Sequence, residues 1–523
     1  MSIISLVPLA APLALVGAAL VARTDSGIRP RKALQVTRLA TVFALVIAVA
    51  SALTVPLTGG GTSPLIGAAE FGLSIRLDAL SAIMMVLVTF VGAIVVQYSR
   101  NYMDGDAQQG RFMAQLSLTV ACVLLLVLSG NLVQLIVSWV ITSLAFDRLL
   151  VFYKERPKAR LAAKKKFIVA RFGDLGLLVA VTLLMYTFGT SDIATILQAA
   201  GSMSEAPLAV TIATFLLVIA AITKSAQFPT HGWLTEVMET PTPVSALLHA
   251  GIINAGGFLI VRLADVMMLS SGALHILALV GGFTALFGAI VMLTQTSVKV
   301  SLAWSTVSQM GFMLLQCGLG LFSLAVLHIV THSLYKAHAF LSSGSVVEIA
   351  RASWVPDTAK PKVGLVTLGL AMALGLYVGV GMLFGLSTST DLQVFAVGSI
   401  LVMGLTFLFA QASSGRTSKY VLGRTFIAGS VISVAYFGLH ALASITLGHM
   451  LPAPVQAGVL EMAIMALAVG SFAVVTFLQI IEPSNAKSDF WRAARIHAAN
   501  GFYANAYFDR FVGALNRPAG SSN

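Results

Sequence analysis

Charge is what this sequence lacks. Only 10% of its 523 residues are charged, against about 25% in ordinary soluble domains. With 58% of the chain apolar, that shortage excludes a water-soluble enzyme. Polar, low-hydrophobicity tracts are missing too, which excludes a disordered chain. The two cysteines, Cys122 and Cys317, lie far apart inside apolar runs, so neither a disulfide framework nor a cysteine metal site follows. Acid is scarcer than base, 20 Asp+Glu against 32 Lys+Arg. The resulting positive charge does not indicate nucleic acid, because the basic residues gather in short loops between apolar runs; the partner they imply is the lipid bilayer.

What is present in quantity is apolar run length. A membrane-crossing helix needs roughly 20 apolar residues, and about fifteen such runs can be marked. They lie at 3–21, 39–57, 77–97, 112–129, 131–151, 167–187, 207–226, 243–268, 272–294, 300–316, 318–345, 363–386, 391–412, 424–448 and 458–480. The sequence therefore predicts an all-α polytopic membrane protein of about 14–15 transmembrane helices. The first run has no basic residue before it, unlike a signal peptide, and is read as a span.

Basic residues alternate between loops. After span 1 come Arg23, Arg29, Arg31, Lys32 and Arg38; after span 3, Arg100 and Arg111; after span 5, Lys154, Arg156, Lys158, Arg160, Lys164, Lys165 and Lys166. Lys299 continues the series, followed by Arg351, Lys360 and Lys362, then Arg416, Lys419 and Arg424, and in the tail Lys487, Arg492 and Arg495. The intervening loops are nearly bare: 58–77 has only Arg76, and 189–207 and 448–457 have none. By the positive-inside rule the N-terminus of this multi-pass chain faces outward and the tail the cytoplasm.

Ionisable residues within spans carry the functional information, since each costs about 2.5–3.5 kcal/mol on insertion scales. Lys224 precedes Pro229 and Gly232, which predicts a helix broken beside a buried charge. Transporters build ion sites at membrane depth in that way; a lysine snorkelling to the cytoplasmic face is the competing account. His328, His332 and Lys336 recur at i, i+4 and i+8, one stripe of one helix. A histidine pair at that spacing also suits zinc, but no acid or thiol stands nearby in sequence and Lys336 would repel a cation, so a proton relay fits better. His338 points away from the stripe. Asp174 follows Arg171 by three residues, equally readable as an intrahelical ion pair. Asp147 and Arg148 point about 100° apart, which frees Asp147 to face the bundle. Arg262 and Asp265, three apart near a span end, read as a snorkelled pair.

Several of these stretches resemble a known family. Lys224-Ser-Ala-Gln-Phe-Pro and Thr240-Pro-Thr-Pro-Val-Ser-Ala-Leu-Leu-His249 are similar to the signature of antiporter-like proton-conducting subunits. Lys299-Val-Ser-Leu-Ala-Trp-Ser-Thr-Val-Ser-Gln-Met-Gly311, His328-Ile-Val-Thr-His-Ser-Leu-Tyr-Lys336, Arg76-Leu-Asp-Ala-Leu-Ser81 and Asn500-Gly-Phe-Tyr503 add to the likeness. The family includes the large membrane subunits of respiratory complex I and of multisubunit Na+/H+ antiporters. The resemblance implies two inverted five-helix repeats with broken helices. Here they would occupy 112–268 and 272–412, after N-terminal helices in 1–111 and before C-terminal helices in 424–480 and an amphipathic cytoplasmic tail at 481–523. It also implies a proton pathway through Lys224, His249, His328, His332 and Lys336, with Asp174, Asp147 and Lys299 alongside.

Two departures narrow the resemblance. The family places a glutamate after the tryptophan of span 5, whereas Trp139 is followed by Val140. Asp147, seven residues on and within roughly 20° of the same face, is the expected replacement as partner of Lys224. The family's late charged group is also missing: Gly385-Leu-Ser-Thr-Ser-Thr-Asp391 offers hydroxyls and Asp391. A chain that keeps the relay but loses both end groups belongs to a different machine, and it resembles the membrane subunits of the Dab-type inorganic-carbon accumulation complexes of bacterial inner membranes. In those, ion flow is thought to drive a partner subunit resembling a zinc carbonic anhydrase. The expectation is thus an ion-translocating subunit with no cofactor or metal of its own and no catalysis in this chain, the zinc residing in a cytoplasm-facing partner. A proton-pumping complex I subunit and a cation/proton antiporter subunit are the alternatives. The tail, with Trp491, Phe502, Tyr503, Tyr507 and Phe508 among basic residues, reads equally as a docking helix or a membrane-surface anchor.

Overall fold

The computed structural model describes residues 3–25, 27–68, 70–344, 363–386, 392–414, 419–454, 456–485 and 488–514. Arg351, Lys360, Lys362, Asp391, Arg416 and Lys487 lie outside the described residues.

Each predicted span corresponds to a helix. They are α1 (Ala10–Thr24, entered through a 3-10 turn from Ile3), α2 (Arg31–Thr58), α3 (Ala79–Tyr102), α4 (Gln109–Val127), α5 (Leu132–Leu150) and α6 (Pro157–Phe188). There follow α7 (Leu208–Lys224), α8 (Thr242–Ala250, resuming at Ala255–Arg262), α9 (Ser271–Met292), α10 (Val298–Gly318) and α11 (Phe322–Leu341). The last four spans are α12 (Val363–Leu383), α13 (Leu392–Ser414), α14 (Lys419–Leu447) and α15 (Val459–Asn485), and the tail forms α16 (Asp489–Ala499) and α17 (Ala504–Ala514). Twelve of these helices are long and apolar enough to cross a membrane. The other three spans, α7, α10 and α11, are those that carry Lys224, Lys299 and the His328–Lys336 stripe.

α6 begins ten residues before the predicted span, and this changes the site. Arg156 and Pro157 open it with proline in the first turn, where the missing N–H costs nothing. The alanines and lysines that follow are strong helix formers. Lys165 and Lys166, counted in sequence as loop charges, thereby enter the bundle and are buried.

Ion pairs and hydrogen bonds gather the loops into two groups, as the charge alternation requires. At the basic end Arg29 pairs with Asp104 at 2.8 Å, and the Tyr153 hydroxyl donates to Asp106 at 2.7 Å. At the other end Glu70 accepts from the Ser191 amide at 2.6 Å. A cavity of about 980 Å³ there is lined by Thr62, Arg76, Asp192 and His449, drawn from all three nearly bare loops.

Helices α9 and α10 pack backbone to backbone. A Cβ at Gly311 would lie 2.5 Å from the Ala285 amide nitrogen and 2.6 Å from the Gly281 carbonyl. Close approach through small residues is how helices associate where lipid removes the hydrophobic drive.

Candidate ion-conducting site

The break in α7 is built as the sequence predicts. The helix ends at Lys224, and backbone between Ser225 and His231 is irregular before a short turn of helix at Gly232–Glu236. At membrane depth such backbone must find partners in protein. The Ser225 hydroxyl donates to the Ile253 carbonyl at 2.8 Å, the Gln227 amide to Ser225 at 2.7 Å, and the Phe228 N–H to Thr284 at 3.2 Å. These bonds hold the break open and fix Lys224 at its lip.

Lys224 is buried and forms no ion pair among the described residues. Its ammonium donates to the Trp139 carbonyl at 3.3 Å and sits 4.2 Å from the centre of the Trp139 ring. The indole N–H in turn donates to Asp174 at 3.0 Å, and Asp174 pairs with Arg171 at 2.6 Å. The intrahelical pair read from sequence is therefore present, and Trp139 bridges it to the lysine. Trp139 is thus the contact of Lys224 where the sequence reading expected an acid.

Asp147 does not contact Lys224. It pairs instead with Lys166, Oδ1 to Nζ 2.7 Å, and Lys166 also donates to the Ser143 hydroxyl at 2.7 Å and carbonyl at 3.0 Å. The expected replacement of the missing glutamate thus takes another form: the acid one helical stretch along has its own cation. Lys166 is the residue that sequence reasoning missed. Its signal was the Arg156-Pro157 helix start, which carries α6 through the basic cluster.

The second group surrounds α11. His328, His332 and Lys336 are buried along one stripe, while His338 is exposed off it. His328 shares a hydrogen bond with Gln316 at 3.0 Å, and its ring centre is 6.0 Å from that of His332. Lys336 donates to the Leu302 carbonyl at 2.9 Å. His249, from the first half of α8, bonds Thr306 at 2.9 Å and stacks on Phe340 with centroids 4.3 Å apart. In His249, His328 and His332 the Nε2 atom is buried without a hydrogen-bond partner among the described residues. Each imidazole accordingly keeps one nitrogen uncommitted, as a proton-passing group requires. Lys299 lies apart, half-buried at the start of α10 with its ammonium on the Thr242 hydroxyl at 3.1 Å.

Two further placements differ from the sequence reading or resolve it. Arg262 is not paired with Asp265. It reaches across the bundle to Asp78 at 2.5 Å and the Ser81 hydroxyl at 2.6 Å, while Arg76 holds the same carboxylate at 2.7 Å. Asp78 also caps α3 through the Ser81 N–H at 2.8 Å. The Arg76–Ser81 motif is thus a buried clamp between α3 and α8, formed by residues too far apart in sequence for local spacing to reveal. The tail, for its part, docks on protein. Asp509 and Glu236 both pair with Lys165, Gln295 donates to the Ala499 carbonyl at 3.2 Å, and the Phe502 and Phe287 ring centres are 5.9 Å apart. Gly501, Phe502 and Tyr503 adopt positive φ, so the Asn500–Tyr503 motif is the turn that folds α17 back beneath the break in α7.

Comparison with known proteins places this geometry in a class. Residues 129–353 match the family model described as NADH:quinone oxidoreductase/Mrp antiporter, TM, and residues 65–113 that of NADH-Ubiquinone oxidoreductase (complex I), chain 5 N-terminus. A chain in the structure of the Mrp complex from Dietzia sp. superposes with a TM-score of 0.64 at 22% identity, over 98% of this chain and 60% of that one. A chain of respiratory complex I from Thermus thermophilus with bound NADH gives 0.55 at 19%, over 95% and 99%. The fold is that of an antiporter-like membrane subunit.

Sequence similarity is more specific. The probable inorganic carbon transporter subunit DabB2 of Halothiobacillus neapolitanus is 38% identical over 467 residues, 87% of this chain and 82% of the relative. The probable subunit DabB of Hydrogenovibrio crunogenus is 42% identical over 363 residues, 69% of each chain. Chloroplastic NAD(P)H-quinone oxidoreductase subunit 5 of Zygnema circumcarinatum is 42% identical, but over 52% of this chain and 39% of its own length. The chain belongs to the DabB family of multi-pass transport subunits.

Proposed function

We propose that this chain is the proton-conducting membrane subunit of an energy-coupled inorganic-carbon uptake complex of a bacterial inner membrane. The observation that carries the reading is the row of buried titratable side chains lacking full partners, Lys224 at the broken helix and His249, His328, His332 and Lys336 around α11, in a chain related to DabB. Placing each of the two lysines at a span's centre costs about 2.5–3.5 kcal/mol on insertion scales, a cost without structural return unless they move charge.

In this account α4–α8 and α9–α13 are the two repeats, each contributing one segment of the path. Lys224 passes a proton toward Lys336 through His249, and His332 and His328 carry it onward. The Trp139 carbonyl and ring hold the Lys224 ammonium without a direct counter-charge, so a small displacement changes its proton affinity. The Asp147–Lys166 pair, further along α5 than the family's glutamate, biases Lys224 through space, and Lys299 sits at the cytoplasmic rim. The chain performs no catalysis and holds no cofactor; CO2 hydration belongs to a cytoplasm-facing, zinc carbonic-anhydrase-like partner that the ion gradient drives. The N-terminus lies outside and the tail inside.

Gentle-detergent purification of the native protein, with mass spectrometry and zinc analysis, tests this directly. A stoichiometric soluble zinc protein supports the reading. Co-purifying flavin or iron–sulfur subunits would make the chain a redox-pump component, and several small hydrophobic subunits an antiporter component.

A further inference from the structure

Where α1, α4 and α5 meet at the basic end, the bundle holds an open cavity of about 1140 Å³ that the ion path leaves unexplained. Four cations line it: Arg23 from the last turn of α1, Arg111 from the first turn of α4, Arg148 from the last turn of α5, and Lys154 just beyond. None of the four forms an ion pair among the described residues; Arg111 reaches only Gln108, at 3.4 Å. Two carboxylates, Asp25 and Asp147, also line the cavity, against the four cations. Asp25 accepts from the Ala33 N–H at 2.9 Å, and Asp147 is held by Lys166. A chain with so few charges has thus gathered four unpaired cations around one opening.

The lower wall is of a different kind. Beneath the cations it turns apolar, with Val16, Leu20 and Leu118. Val16 lies seven residues before Arg23, about 10.5 Å deeper along the helix axis. Leu20, between them, is 64% exposed. A cationic mouth over an apolar wall is complementary to a molecule with an anionic head and a hydrocarbon body.

We propose that this cavity is a binding site for an anionic phospholipid. Arg23, Arg111, Arg148 and Lys154 hold the phosphate, and an acyl chain lies along Val16, Leu20 and Leu118. Guanidinium groups grip phosphate oxygens in bidentate fashion, and basic pockets between membrane helices recognise such headgroups. Free phosphate would use the cations but leave the apolar wall bare, whereas a zwitterionic lipid would set its ammonium against four like charges. The site is independent of the carbon-uptake reading.

The test uses the full-length protein in nanodiscs containing equal phosphatidylglycerol and phosphatidylethanolamine, followed by mild extraction and native mass spectrometry. About 1 kcal/mol per cation near an anionic surface corresponds to roughly a fivefold preference each. The wild type should therefore retain phosphatidylglycerol over phosphatidylethanolamine by at least tenfold. R23Q/R111Q/R148Q/K154Q should abolish that preference, and R111Q or R148Q alone, which remove one exposed charge, should reduce it about fivefold. Equal retention of the two lipids, or an unchanged preference in the variants, overturns the proposal. Displacement by millimolar inorganic phosphate would make this a free-anion site and overturn it too. So would a photocrosslinker at Leu20 that captured a protein subunit rather than lipid.

Discussion

Lys166→Met and Asp147→Asn should couple strongly, and the structure sets the size of the effect. The Lys166 ammonium makes three contacts within 3.0 Å: the Asp147 carboxylate, the Ser143 hydroxyl and the Ser143 carbonyl. Side-chain exposure is 5% for Lys166 and 17% for Asp147. Removing one member of a buried ion pair costs about 3–5 kcal/mol, because the other charge is stranded; the residual exposure of Asp147 puts Lys166→Met toward the lower end. Removing both charges strands nothing, so the double variant should lose far less than the sum, with a coupling energy of at least about 2 kcal/mol. Denaturant unfolding of the detergent-solubilised protein, followed by helical circular dichroism, measures all four corners of the cycle. Losses additive to within about 0.5 kcal/mol would refute the pairing. Growth in air should fail in both single variants. If Asp147→Asn keeps wild-type activity, Asp147 has no part in the ion path.

Lys224 offers the contrasting case: its ammonium contacts a carbonyl and an aromatic ring but no acid. Lys224→Ala should abolish carbon-dependent growth while costing only about 0.5–2 kcal/mol of stability, read from the same unfolding assay. Arg262→Met leaves Asp78 with Arg76 and the Ser81 N–H alone and should destabilise by about 1.5–3 kcal/mol, the value of a hydrogen bond to a charged group, lowering the amount of folded protein in the membrane. Gly311→Ala forces a methyl into the α9–α10 backbone contact and should cost about 1–3 kcal/mol, seen as a lower unfolding midpoint. Asp509→Asn leaves Lys165 with Glu236 alone, so limited proteolysis should cleave α17 faster while the membrane bundle stays intact.

The spans, their number and the shared side of the basic loops were legible because hydropathy and charge act locally along the chain. So was the α11 stripe, which follows from helical period alone, and the break at Pro229. What could not be read was pairing across the bundle. Arg262 has Asp265 in its own sequence neighbourhood, yet the nearer charge in space is Asp78. Lys166 looked like a loop charge because apolarity fades before α6 does; proline and helix propensity, not hydropathy, mark where that helix begins. Trp139 as the acceptor for Lys224 had no signal, since a backbone carbonyl is the same in every residue. The tail's docking was equally hidden. Its aromatic and basic composition suits a membrane surface as well as a protein one, and the contacts of Asp509 with Lys165, Ala499 with Gln295 and Phe502 with Phe287 separate them.

The central claim, that Lys224 and Lys336 belong to one proton path, is tested most directly by proton flux into vesicles carrying the purified complex. An imposed membrane potential and a trapped pH dye would report the flux. The account predicts rapid, uncoupler-independent acidification with the wild type and background rates with either Lys224→Ala or Lys336→Ala at equal incorporation. Wild-type flux in either variant would contradict it.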